Sequence, residues 1–216
     1  MPKWVRSPGR AVAVASLAVV MGVAAQQPAA PSPAAVAQAD SGRPPFTEAD
    51  VQFMTGMIAH HAQAVLIAGW APSHGASQSV LVLCQRIVVA QNDEIAAMQR
   101  WLRERQLPVP DASPSHQAMN MPGMDHATLM PGMLTAEQLA QLDKARGPDF
   151  NRLFLTFMIQ HHQGALTMVD QLFASPGALQ DDLMYKFASD VSADQSTEID
   201  RMQKMLAAMP AGAKGF

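Results

Sequence analysis

FMTGMIAHHAQAV (residues 53–65) and FLTFMIQHHQGAL (residues 154–166) are two versions of one segment. Phe53, Met57, Ile58, His60 and His61 meet Phe154, Met158, Ile159, His161 and His162 at a constant offset of 101. Apolar residues return every three or four positions in both, which is the period of a helix. An adjacent pair of histidines inside such a helix is unusual once, and here it occurs twice.

The segments that follow also match. In QNDEIAAMQRWL and DQSTEIDRMQKML, Gln91, Glu94, Ile95, Met98 and Leu102 align with Gln195, Glu198, Ile199, Met202 and Leu206. That offset is 104, so the second half carries three extra residues near its hairpin turn. Each half reads as a helical hairpin that cannot bury its apolar face alone. Docking the two predicts an all-α four-helix bundle with a long crossover between halves.

Breakers and caps set the expected limits. A first helix runs from 47 to about 70, where Pro72 and Gly75 stop it, and a second from about 77 to 106. TAEQ at Thr135 has the form of a capping box and opens a short helix to about 146. Long helices then follow from 149 to about 174 and from about 178 to 208. The four-helix domain is thus residues 46–209, with repeat one at 47–107, a Met-rich connection at 108–134 and repeat two at 135–209. Strand signals are nearly absent.

Residues 1–25 carry Lys3, Arg6 and Arg10 ahead of a short apolar run and small residues, the layout of a secretory signal peptide. Residues 26–45, rich in Ala, Pro and Gln, read as a disordered tether. A periplasmic or secreted protein without stable membrane insertion after cleavage is expected. Removal of the signal leaves twelve basic against 18 acidic residues, a formal charge of −6, which argues against nucleic acid and anionic lipid as partners. Cys84 is the single cysteine, so no intrachain disulfide forms; its apolar surroundings predict a buried, inert thiol.

At 100° per residue, Met54, Met57, His61, Ala64 and Ala68 share one stripe of the first helix. Leu155, Met158, His162, Ala165 and Val169 share the same stripe of its repeat. Glu94 and Glu198, near Met98 and Met202, are the natural hydrogen-bond partners for buried imidazoles. Two readings stay open: satisfied core contacts with methionine as filler, or a ligand set in which imidazole and thioether converge from one face. Thioether sulfur is soft and selects Cu(I), while imidazole suits copper in either oxidation state. A second signal lies in HQAMNMPGMDHATLMPGM. It packs His116, Met119, Met121, Met124, His126, Met130 and Met133 into a segment broken by Pro and Gly, where core packing explains them poorly. Copper or silver fits these donors. Enzymatic templates do not: the chain has no Glu-x-x-His pair, no His-Glu-x-x-His motif and no Gly-rich phosphate loop.

DVQFMTGMIAHHAQAV, DFNRLFLTFMIQHHQGALTMV and the Glu-Ile-x-x-Met segments together resemble the domain of unknown function 305 family. The resemblance implies a ferritin-like four-helix fold, export and, as for several members, copper binding and tolerance. It implies copper ligands at Met54, Met57, His60, His61, Met158, His161, His162 and Met168. Two positions depart from the family pattern: Ile67 stands where Met168 stands in the other half, and Leu155 where Met54 does.

The expected function is an exported, non-enzymatic protein that sequesters or passes on copper, Cu(I) foremost and Cu(II) or Ag(I) as well. The Met-rich connection would act as a collector, and Glu94, Met98, Glu198 and Met202 would support the ligands. A copper exporter or another copper carrier is the expected partner. The alternatives are a structural or partner-binding bundle without tight metal binding and, less favoured, a ferritin-like metal-dependent oxidoreductase.

Overall fold

Thr47 opens the first helix with a reciprocal cap. Its hydroxyl accepts from the Asp50 amide, and the Asp50 carboxylate accepts from the Thr47 amide at 2.7 Å. Asp50 is buried and also accepts from the Leu179 amide at 2.9 Å, so this cap ties the start of the fold to the second hairpin turn. The computed structural model describes residues 44–112 and 129–210. The expected signal peptide, nearly all of the tether and most of the Met-rich connection lie outside the described residues.

Five helices follow in order: α1 (Glu48–Gly69), α2 (Gln78–Glu104), α3 (Ala136–Lys144), α4 (Gly147–Phe173) and α5 (Asp182–Ala207). No strand occurs among the described residues. Helix α1 packs on α2 and α4 on α5, and the two hairpins dock through α1 on α4, with α3 lying on α4. This is the expected all-α four-helix bundle of two hairpins. The Thr135 capping box opens α3 as anticipated, with Gln138 as its reciprocal partner. None of the described helices is long and apolar enough to cross a membrane.

Two boundaries differ from expectation. Helix α4 begins at Gly147, earlier than 149, because Pro148 fits a first helical turn and Gly147 takes φ 58° there. Helix α5 begins at Asp182 rather than near 178. Asp181 caps it by accepting from the Leu183 amide, and the same carboxylate accepts from Trp101 Nε1 of α2 and pairs with Arg105, the C-cap of α2. That start is fixed by a tertiary contact, which local sequence does not announce.

The core is divided. One apolar cluster contains Ala64, Ile67 and Ala68 of α1, Leu83, Cys84 and Ile87 of α2, Phe154 and Met158 of α4, and Ile199 and Met202 of α5. The other contains Phe53, Met54 and Met57 of α1, Ile95 and Met98 of α2, Ala165 and Met168 of α4, and Met184 and Val191 of α5. On every long helix the break between clusters falls at polar residues: His60 and His61, Gln91 and Glu94, His161 and His162, Gln195 and Glu198. A polar layer therefore crosses the middle of the bundle. Cys84 is buried as expected, and burial pushes its thiol up to about 12.

The end of the connection, residues 130–134, crosses the α1–α4 seam as a strap. His60 Nε2 donates to the Pro131 carbonyl at 2.9 Å, and the Gln63 amide both donates to and accepts from Leu134. Gly164 admits the strap: a Cβ there would lie 2.0 Å from the Pro131 oxygen and 2.5 Å from Gly132 Cα. Both obstacles are backbone, so G164A is expected to lower unfolding free energy by about 1–3 kcal/mol in a urea titration. The same substitution at exposed, uncrowded Gly69 should change it by under about 1 kcal/mol.

Candidate metal centre

The four imidazoles expected as ligands all lie in the polar layer, and each is fully buried. Helical spacing does this. His61 and His162 point toward α2 and α5, while His60 and His161 meet across the α1–α4 seam. The His60 and His161 rings sit 3.8 Å apart between centroids, tilted by 38°. Neighbouring rings within each pair are 6.4 and 6.2 Å apart.

The carboxylates meet the histidines named as their partners. His162 Nε2 donates to Glu198 Oε2 at 2.7 Å. His61 Nε2 lies 2.8 Å from Glu94 Oε2, close enough to attract but out of line for a hydrogen bond. The bond to Glu198 places the His162 proton on Nε2, and the bond to Pro131 places that of His60 on Nε2 as well. In neutral His60 this leaves Nδ1 as a bare lone pair. No hydrogen-bond partner meets Nδ1 of His60, His61 or His162, nor either nitrogen of His161. Buried polar atoms are nearly always paired in folded proteins. With His61 Nε2, six unpaired ring nitrogens lie at one level of the core.

Two of these rings, His60 and His161, are held neutral. Burial, followed by neighbouring His61, lowers His60 to about 3, against a raising effect from the Pro131 carbonyl. Burial, and then His60, holds His161 well below the ordinary histidine range. Neutral imidazole is the metal-binding form, so protons do not compete at neutral pH.

The methionines flank the layer. Met57, Met98, Met158 and Met202 are fully buried beside it, with Met54 and Met168 a turn or two away in the second cluster. Met130 is half-buried and reaches over Gly56, as does the methyl end of Met168; Met133 is buried in the strap. His116, Met119, Met121, Met124 and His126 lie outside the described residues. Among the described residues, no three His, Cys, Asp or Glu side chains form a ready-made ligand group. A full coordination sphere here therefore needs thioether sulfur or rotation of the rings.

Sequence reading left Gln91 and Gln195 outside the site. Both are buried in the layer, Gln91 with neither amide atom paired and Gln195 with Oε1 unpaired. Their equivalence in the two halves was the available signal. His74, also unremarked, is buried against Trp70 and Phe150 and contacts Asp143 of α3, well outside the layer.

A family model described as domain of unknown function DUF305 matches residues 50–206. The chain belongs to the DUF305 family. Among solved structures, a DUF305 fragment from Deinococcus radiodurans is similar at 28% identity and TM-score 0.63, covering 77% of this chain and 100% of that one. The protein CopM in its Cu(II)-bound form is similar at 28% identity and TM-score 0.54, covering 73% of this chain and 95% of that one. CopM in its Cu(I)-bound form gives 26% identity and TM-score 0.54, with 76% and 97% covered; an Ag-bound form matches as well. The search of curated proteins found no match.

Burial gives the histidine layer a measurable pH signature. Unfolded, these imidazoles titrate near 6.5, whereas His60 in the fold takes its proton only near 3. Between those values the unfolded chain binds more protons, so stability falls as pH drops below 6.5. The slope is about 1.4 kcal/mol per pH unit for each such histidine. Above 6.5 this contribution is constant. Denaturant unfolding between pH 7.5 and 5 should show the slope, and H60Q should make it shallower.

Proposed function

We propose that this DUF305 protein is an exported, non-enzymatic copper carrier that holds Cu(I), and Cu(II) at its histidines, for storage or transfer. The nitrogen ligands are His60, His61, His161 and His162, with Met57, Met158, Met54 and Met168 as the thioether ligands. The observation that carries this reading is the set of buried, unpaired ring nitrogens at one level of the core, with His60 and His161 held neutral. In a core built only for packing, leucine at these positions would cost less than imidazoles without partners.

The carboxylates support the same reading. A carboxylate on Nε2 fixes the ring and raises the basicity of Nδ1, as hydrogen-bonded partners of metal-bound histidines commonly do. Glu198 is arranged this way toward His162, and Glu94 approaches it toward His61. Similarity to CopM, solved with Cu(II), Cu(I) and silver, agrees with the soft donor set. The Met-rich connection, with His116, Met119, Met121, Met124, His126, Met130 and Met133, would act as a collector of ions. A copper exporter or second carrier would receive them, in the periplasm or outside the cell.

The rival reading is a bundle in which His61–Glu94 and His162–Glu198 are core contacts alone. Titration of the mature chain with Cu(I) against a chromophoric chelator separates the two. Alanine at His60, His61, His161 and His162 should abolish competitive binding while circular dichroism keeps the helical signal. Unchanged binding in that variant would move the metal to the Met-rich connection. Copper should also raise thermal stability, by about 2.7 kcal/mol at a free concentration 100 times Kd; an unaltered melting temperature would favour the packing reading.

A further inference from the structure

The polar layer is covered on one side and open on the other. Across the α1–α4 seam the strap lies on it, with the Pro131 carbonyl bonded to His60. On the far side α2 and α5 leave a cleft of about 200 Å³. Its walls include Gln91, Glu94, Asp194, Gln195 and Glu198, and among the described residues Arg86 is the one basic side chain lining it. Glu94 and Glu198 thus have two faces. One faces His61 or His162, and the other faces the cleft.

Gln91 and Gln195 are 1% and 2% exposed and line this cleft, with both amide atoms of Gln91 and Oε1 of Gln195 unpaired. They occupy equivalent positions in the duplication. A leucine of similar size would remove the unpaired groups and favour the fold, so stability does not account for the amides. Charge points the same way. The Asp194 carboxyl is raised by burial and then by Glu94, Asp190 and Glu198, which marks a concentrated negative field. Such a field, walled by protein, draws cations inward. The cleft is also polar and roomy enough to hold water.

We propose that the cleft between α2 and α5 is the port through which a hydrated Cu(II) ion reaches the histidine layer, the side-chain oxygens of Gln91 and Gln195 replacing water as it is shed. Glu94 and Glu198 then stand at the boundary between oxygen-donor entrance and imidazole interior. This port rests on the copper reading above. It adds a direction of travel and two waypoint residues to that reading.

Stopped-flow mixing of the full mature chain with Cu(II) sulfate, read by tryptophan fluorescence quenching, tests it. Q91L/Q195L should slow loading by about tenfold, and release should slow in step, since one passage serves both directions. D194N should slow loading at about 0.01 M salt and not at about 1 M, where the Debye length falls from about 30 Å to about 3 Å. Unchanged rates in a folded Q91L/Q195L would overturn the port. Should the double variant fail to fold, D194N decides: loading equal to wild type at low salt overturns the port. Wild-type protein that takes up no copper would remove the copper reading and the port together, whereas uptake at unaltered variant rates removes the port alone.

Discussion

Everything in this bundle answers to one constraint: eight polar side chains lie at a single level of a close-packed interior. Each long helix contributes two of them, so no helix can shift or rotate without carrying a charge or an imidazole into apolar surroundings. The layer sets the register of all four helices and divides the core into two clusters. It also dictates protonation, because burial keeps His60 and His161 uncharged. Alternatives with an all-apolar centre would pack more easily but would have no fixed register and no lone pairs.

The duplication is faithful in the layer and unfaithful beside it. Gln63 and Gly164 are equivalent positions, and so are Gly56 and Phe157. Gln63 grips the strap through Leu134, while Gly164 lets the strap backbone approach where any side chain would collide. Gly56 leaves room for the Met130 thioether and the end of Met168. The strap thus turns a nearly symmetric bundle into one with a covered seam and an open cleft. The carboxylate pairs share the asymmetry, His162 being aligned to Glu198 and His61 not aligned to Glu94.

Much of this was legible in the residues. The offset of 101 between the two Met-Ile-x-His-His segments predicts equivalent helices, and Glu94 and Glu198 were the partners that buried histidines would need. Capping residues Thr47 and Thr135 announced their helices because those contacts are local. The start of α5 was not legible, since Asp181 is held by Trp101 and Arg105 from another helix. The meeting of His60 and His161 was equally hidden: helical spacing gives a direction from one axis, not which helix lies there. Gln91 and Gln195 were visible as repeats, yet only burial without partners separates them from ordinary surface glutamines.

Cys84 carries a consequence for exchange. Thiolate grips a soft cation far more firmly than thioether or neutral imidazole, and a site containing one gives its ion up slowly. This chain has a single sulfhydryl, packed among Leu83, Ile87 and their neighbours and held protonated up to about 12. Nothing near the histidine layer can trap an ion in that way. A soft metal held by the proposed ligands would remain on loan, available to the next protein that offers a better ligand.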